Sequence, residues 1–401
     1  MIEKTTTTFA GDLTGLSNRI NFYERLTPEF YRQEVDKVYR RGWLLVACAS
    51  DIPNPNDFVA REVPPLNTCL IVARGADGEV RAFHNMCRHR GNRLVTDGEG
   101  NARKFTCGFH GWTYFNDGRL AAVTDRTQFK GIDEEELGLV PVHTEVWEDF
   151  VFVNFDKEPR MTLREWMDTW HDGFRGYFNG RQKVANQTID LNCNWNVVMN
   201  AFSEGYHALF VHRATVPDYQ GGPQNPERHR PYIGVSKNHG LYSVEGSLDH
   251  KPTRVEGIAY GRGRPMYPTF TPNITADRDL PPGVNPLRIR NWLHDIIEIF
   301  PNIYIVAAGD FHTVGWFWPI DENRTHVTID YYAYEAESVD DHMAHAYFRT
   351  ILREVFREDV SVMENVHRQF KSGAMTDIHL SQQELLLQKH FSVVDRMVAQ
   401  P

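Results

Sequence analysis

Apolar and polar positions alternate along the chain in three regimes. Over residues 26–41 (LTPEFYRQEVDKVYRR) the apolar positions recur at helical spacing, and Leu26-Thr27-Pro28 opens the pattern as a helix start. From Trp43 to about Phe155, short apolar stretches are broken by Asp77-Gly78, Asp97-Gly98 and Asp117-Gly118, turn pairs that favour hairpins. The segment closes on Phe150-Val151-Phe152-Val153, so the pattern predicts a small β domain, with the acidic run Asp133–Glu136 as a solvated loop. Helical periodicity returns at Leu163–Phe178 and at Trp195–Val211. Residues 215–286, rich in Pro, Gly and Asn, give no readable element. Beyond them the pattern predicts strands at Ile296–Phe300, Ile303–Ala307, Val314–Pro319 and His326–Tyr334, at hairpin spacing and so antiparallel. A helix over Asp340–Lys371 follows, with Gly373 as its C-terminal cap. The fold class is α+β with an all-β insert near the N-terminus.

Composition narrows the classes of function. A chain of 401 residues with 41% hydrophobic and 24% charged residues can bury a sizeable core in two or three domains. Its net charge of −10 argues against a nucleic-acid partner held by bulk charge. No apolar run approaches the roughly 18 residues of a membrane span, and Met1–Phe9 lacks the apolar stretch of a signal peptide, so the expected location is the cytoplasm. Five cysteines (Cys48, Cys69, Cys87, Cys107, Cys193) are too scattered for a disulfide framework. Cys48, Cys69 and Cys193 have no His or Cys at ligand spacing and read as small core residues.

The other two cysteines stand in HNMCRHRGNRLV and CGFHGWTY, with the spacing Cys87-x-His89, seventeen residues, Cys107-x2-His110. Glycines beside each pair (Gly91, Gly108, Gly111) permit tight loops. Two such loops can hold one iron of a [2Fe-2S] cluster by sulfur and the other by nitrogen, and exchanging two thiolates for neutral imidazoles raises the potential to about −150 to +300 mV. The alternatives are a structural Cys2His2 zinc site or four core residues without metal. Zinc sites more often pair like with like, whereas here each loop supplies one Cys and one His.

A second constellation lies in NWNVVMNAFSEGYHALFVH, read as one helix with an apolar stripe at Trp195, Val198, Met199, Phe202, Tyr206, Leu209 and Phe210. Asn200, Glu204 and His207 share an adjacent strip, making Asn200 a further candidate beside Glu204. His212 falls five residues after His207, about 140° round an ideal helix, so both imidazoles can meet one ion only if the helix ends or bulges there. The missing carboxylate is sought on the apolar stripe of the last long helix (Phe348, Leu352, Val355/Phe356, Met363, Val366, Phe370), where position 359 is an aspartate. Glu354 and Glu358 lie off that stripe and read as solvated. A carboxylate facing a core needs a partner, an arginine or a cation. With His207 and His212, Asp359 completes a two-His-one-carboxylate set, the usual one for an Fe(II) that activates O2.

These constellations in this order resemble the Rieske non-haem iron oxygenases, specifically the catalytic α subunit of aromatic-ring-hydroxylating oxygenases. The resemblance spans nearly the whole chain and rests on CRHRG (Cys87–Gly91), CGFHGWTY (Cys107–Tyr114), NWNVVMNAFSEGYHALFVH (Asn194–His212) and REDVSVMEN (Arg357–Asn365). By motif match it implies that Cys87, His89, Cys107 and His110 hold the [2Fe-2S] cluster, and His207, His212 and Asp359 the mononuclear iron. Glu204 matches the acid that bridges the two centres, and Phe202 and Ala208 match positions lining the substrate pocket. The sequence departs from the pattern at Met199, where many α subunits have an acid before Asn200, and in the tail LLLQKHFSVVDRMV, which lacks an extra His.

The implied fold is a Rieske β domain inserted near the N-terminus of a helix-grip catalytic domain with an antiparallel sheet. The implied division is 1–41, a helical segment packing on the catalytic domain; 42–158, the Rieske domain; and 159–401, the mononuclear iron domain. The implied activity is a terminal oxygenase that hydroxylates an apolar, aromatic substrate with O2. The alternative is a monooxygenase acting by oxidative demethylation or hydroxylation of a non-aromatic substrate. Electrons from NAD(P)H come through a separate reductase or ferredoxin, since the chain has no GxGxxG for a nicotinamide or flavin. The implied assembly is a homotrimer in which His110 of one subunit meets His207 of the next through Glu204. Two rival classes are a pure electron-transfer protein, which has no need of the second constellation, and a zinc-stabilised binding module.

Overall fold

The computed structural model describes residues 7–96, 98–220, 228–261 and 279–400. The expected hairpin turns at Gly78 and Gly118 form, both glycines taking the positive φ (+86° and +93°) that a side chain resists. At Gly118 space is a second reason: a Cβ there would meet the Phe83 ring at 2.4 Å. Asp97, from the third expected turn, lies outside the described residues.

The chain divides into two units, Val35–Glu165 and a second built from Met1–Glu34 with Trp166–Pro401. The first unit is all-β apart from short turns. Its seven-stranded sheet runs Leu44–Cys48, Phe150–Asn154, Pro141–Trp147, Val80–His84, Thr68–Arg74, Asp57–Val63, Glu99–Asn101. A three-stranded sheet joins Leu120–Ala122, Thr113–Phe115 and Lys104–Thr106. Between them a buried cluster of Phe58, Ile71, Phe83, Phe105, Trp112 and Tyr114 includes Cys87 and Cys107.

The second unit carries an eight-stranded sheet, in the order Thr8–Ala10, Tyr232–Val235, Gly240–Glu245, Trp292–Ile299, Ile303–Ala307, Phe311–Asp321, Arg324–Ala333, Gln182–Leu191. Every pairing is antiparallel except the first, Thr8–Ala10 beside Tyr232–Val235. The four expected strands are present; Ile303–Ala307 has the expected bounds and the other three run longer. Two others, Tyr232–Val235 and Gly240–Glu245, fall within 215–286, where no element was readable; residues 221–227 and 262–278 of that stretch lie outside the described residues. The edge strand Gln182–Leu191 was also missed, because its half-exposed, polar sequence shows no apolar alternation.

The long helix spans Val339–Phe370 and starts at a capping box in which Ser338 Oγ accepts from Asp341 N at 3.1 Å and Asp341 Oδ2 accepts from Ser338 N at 3.1 Å. It ends with Lys371 as C-cap; Gly373, at φ +72°, closes the turn by donating to Phe370 O at 2.9 Å. Its apolar stripe packs on the sheet, Phe348 lying 4.2 Å from Phe311 between ring centroids. The expected helix at 26–41 is Pro28–Glu34 continued by a π-helical turn over Val35–Tyr39. The one expected over Leu163–Phe178 is two short helices, Leu163–Met167 and Trp170–Gly173, interrupted where Asp168 adopts φ +53°. No helix among the described residues is long and apolar enough to cross a membrane.

Candidate metal centres

The expected helix from Trp195 to Val211 is broken, and the break makes the site. Asn194 caps the first part, Trp195–Phe202, its Oδ1 accepting from Asn196 N at 2.8 Å. Helical bonding lapses after Ser203, and a second short helix, Ala208–Val211, follows with His207 and His212 at its two ends. On a continuous helix the imidazoles would diverge. Here His207 Nε2 and His212 Nε2 lie 3.2 Å apart, and Asp359 Oδ1, from the long helix, lies 3.4 Å from the first and 3.2 Å from the second. Metal bonds of about 2.1 Å at right angles place ligand atoms roughly 3 Å apart, so the three atoms fit one ion of the iron or zinc size.

Each histidine is oriented by a carboxylate at its other nitrogen. Glu204 Oε1 is bonded to His207 Nδ1, and its Oε2 accepts from the Tyr206 amide and from the His207 amide at 3.2 Å. Glu204 is therefore only 9% exposed, not the solvated acid that its sequence alone allows. Glu358 Oε2 accepts from His212 Nδ1 at 3.0 Å, and Glu358 Oε1 from Thr215 Oγ1 at 2.7 Å. This corrects the reading of Glu358 as merely solvated: about 100° from Asp359 on the helix, it leaves the apolar stripe yet reaches the same histidine from the other side. Burial opposes protonation of His207, but Asp359 and Glu204 outweigh it and lift its pKa to about 10. Burial likewise opposes ionisation of Asp359, and the two histidines hold its carboxyl below the usual range.

The broken helix also corrects the expected apolar stripe. Tyr206, Leu209 and Phe210 are exposed, Phe210 at 74%, because the second short helix turns that side outward. Asn200 sits half-buried in the last turn of the first helix; among the described residues its side chain bonds neither histidine, and it does not border the cavity described next.

That cavity, about 130 Å³, opens on His207, His212 and Asp359. Phe202 and Ala208 border it as expected, with Val216, Ile296, Leu352 and Phe356. Phe202 stacks on Phe356 at 5.6 Å and 22° between ring planes. Its polar borders include Glu204, Gln220, Arg230, His294 and Thr313, none of which apart from Glu204 carried a sequence signal.

In the other unit, Cys87, His89, Cys107 and His110 stand on two loops with the same backbone bonding. Cys87 N donates to Asn92 O and Gly91 N to Cys87 O, both at 2.8 Å; Cys107 N donates to Trp112 O at 2.8 Å and Gly111 N to Cys107 O at 2.9 Å. Gly91 and Gly111 share φ +76°, which closes each loop. The His89 and His110 rings come within 4.7 Å between centroids. His89 Nδ1 is buried with no hydrogen-bond partner, the condition of a nitrogen shaped to bind a metal. Tyr114 Oη lies 3.3 Å from Cys87 Sγ, and Asn92 Nδ2 lies 3.6 Å from Cys107 Sγ. Burial works against the Cys107 thiolate, yet the amides of Phe109 and His110 hold its pKa below the ordinary thiol value. These donors fit a bound [2Fe-2S] cluster.

An all-β unit with paired Cys/His loops and a helix-on-sheet unit with a two-His-one-carboxylate site define a Rieske-type non-haem iron oxygenase. The family described as ring hydroxylating alpha subunit (catalytic domain) matches residues 178–400, and the Rieske [2Fe-2S] domain matches residues 42–138. The chain belongs to the ring-hydroxylating alpha-subunit family. It is 25% identical over 353 residues to the chloroplastic choline monooxygenase of Spinacia oleracea, covering 86% of this chain and 70% of that protein. Its fold is similar to that of a quaternary ammonium Rieske monooxygenase studied for carnitine oxidation and inter-subunit electron transfer (20% identity, TM-score 0.74, 94% of each chain). It is equally similar to naphthalene 1,2-dioxygenase from Rhodococcus sp. (20% identity, TM-score 0.74, 95% of each chain). The chain is thus an oxygenase with a [2Fe-2S] Rieske domain and a mononuclear-iron catalytic domain.

Proposed function

We propose that this chain is the terminal component of a multi-protein system that hydroxylates an apolar, ring-bearing substrate held in the cavity beside His207, His212 and Asp359. The observation that carries the reading is the convergence of those three ligand atoms on the border of a small, largely apolar cavity. The cofactors supply single-electron storage at the cluster and O2 activation at the mononuclear iron. The protein's part is to hold His207 and His212 by Glu204 and Glu358, and to lay the substrate against Phe202 and Phe356 away from water. Cys87, His89, Cys107 and His110 are the proposed cluster ligands, in a Rieske domain over 42–158. The proposed catalytic domain is 159–401 together with the N-terminal segment expected over 1–41, which in the structure divides at Glu34.

Electrons come from a separate NAD(P)H-dependent reductase or ferredoxin, and the working assembly is a homotrimer in which Glu204 bridges towards His110 of a neighbouring subunit. Support for the assembly comes from the exposed Phe109 beside His110 and the exposed Tyr206 and Phe210 beside His207, apolar surface of the kind that subunit contacts cover. The test is product formation: protein loaded with both cofactors, a surrogate reductase, 18O-labelled O2 and a panel of aromatic compounds, followed by mass spectrometry. Label in no product across aromatic and quaternary ammonium panels alike would overturn the reading.

A further inference from the structure

Arg230 is 2% exposed and borders the cavity. Its Nη2 donates to Gly205 O at 2.6 Å and its Nη1 to Arg228 O at 2.9 Å, while its Nε is buried without a partner. The guanidinium lies against Gly205 because that residue has no side chain: a Cβ there would meet Nη2 at 1.8 Å. Tyr242 backs it, ring centroid 5.4 Å from the guanidinium carbon, and the Tyr242 hydroxyl donates to Glu204 O at 3.1 Å. Among the described residues no carboxylate stands within ion-pair distance of Arg230. The two acids that border the cavity, Glu204 and Asp359, are both turned on the histidines. A buried guanidinium held by two neutral carbonyls has charge and donors in excess of its protein partners.

The charge on the cavity border that no protein carboxylate offsets is thus positive. Arg230 is the only arginine or lysine among the described residues there, and His294, on the same border, is kept neutral by burial and by Arg230, its pKa lowered to about 3. A quaternary ammonium group binds against aromatic rings and anions, and a fixed guanidinium opposes it. A carboxylate matches the guanidinium fork. A cavity of about 130 Å³ suits a body of one ring, since a cavity of about 150 Å³ holds benzene. We propose that the substrate is a small carboxylic acid with an apolar body, its carboxylate received by Arg230 and its body lying between Phe202 and the His207–His212–Asp359 site. This rests on the oxygenase reading above and deepens it.

Calorimetric binding to the fully loaded protein tests it. The ligands are benzoate, phenylacetate and 3-phenylpropanoate, each beside its primary amide, with benzyltrimethylammonium as the cation. At least one acid should bind tenfold or more tightly than its own amide and than the cation. Arg230→Met should lose that acid at least tenfold, keep the amide within about twofold and leave iron content unchanged; Arg230→Lys should recover part of the loss. The proposal fails if every amide equals its acid, if the cation binds best, or if a metal-loaded Arg230→Met protein binds the acid as before. Should Arg230→Met not fold, the preference within the wild-type panel decides alone. Binding needs no turnover, so an acid that binds without giving oxygenated product counts against the oxygenase reading and not against Arg230.

Discussion

Glu358 and His212 are joined by a 3.0 Å hydrogen bond from the imidazole Nδ1–H to the carboxylate, which turns Nε2 of the same ring towards Asp359. Thr215 fixes the other oxygen of Glu358, so the ring orientation is set from outside the ligand trio. Glu358→Gln keeps the shape and removes the charge. Iron affinity measured by chelator competition is expected to fall about 10- to 100-fold with the fold intact. Unchanged affinity would mean that the ring needs no such partner.

Asp359→Ala removes the one carboxylate oxygen common to both histidine contacts and the proposed third iron ligand. Iron should fall from about three to about two atoms per chain, the cluster spectrum should persist, and product should vanish. A variant that keeps activity in its folded fraction would reduce Asp359 to an ion-pair partner.

Tyr114 approaches Cys87 Sγ at 3.3 Å, and its oxygen accepts from Arg88 N at 2.9 Å. Hydrogen bonds to cluster sulfur favour the reduced, more negative state, so Tyr114→Phe should lower the reduction potential seen in a redox titration. An equal or higher potential contradicts cluster ligation by Cys87.

For Glu204, the isosteric Glu204→Gln should retain both metals while slowing single-turnover transfer from reduced cluster to iron at least tenfold. An unchanged rate, or a wild-type protein active as a monomer, rules out the bridge.

Glu34 gives a pH signature of stability. Burial, opposed by donors from Asn196 (2.8 Å) and Trp195 (3.0 Å), raises its pKa to about 7. The folded state therefore favours the protonated acid. That contribution is complete below the ordinary value of about 4.3 and is lost as pH rises through 7. Relative to wild type, Glu34→Gln should gain stability between pH 5 and 8, on the order of 2 kcal/mol. Parallel urea curves at the two pH values would exclude the shift.

The proposed metal-binding residues and four strands of the eight-stranded sheet were legible because their signals are local. Cys87-x-His89 and Cys107-x2-His110 declare themselves by spacing, and Asp359 by sitting on an apolar stripe. The convergence of His207 with His212 was conditional on a helix break, and the break came at Ser203. Glu358 and Arg230 were illegible for the opposite reason. An acid just off a stripe and an arginine in a Pro- and Gly-rich stretch look solvated until distant elements close round them. The polar edge strand Gln182–Leu191 was hidden likewise, since its pairing with Arg324–Ala333 comes from backbone bonds rather than side-chain alternation.

The N-terminal segment must wait for its partners during synthesis. Thr8 pairs with Tyr232, and Arg19 with His379, although the whole of Val35–Glu165 is made in between. At about 5 to 20 residues per second, Arg19 leaves the ribosome roughly 20 to 70 s before its partner exists. All strands of the inserted unit lie between Leu44 and Asn154, so it can close its own sheets in that interval. The cluster-bearing unit is thus the first to be complete, and the iron-bearing unit is assembled from both sides of one already folded.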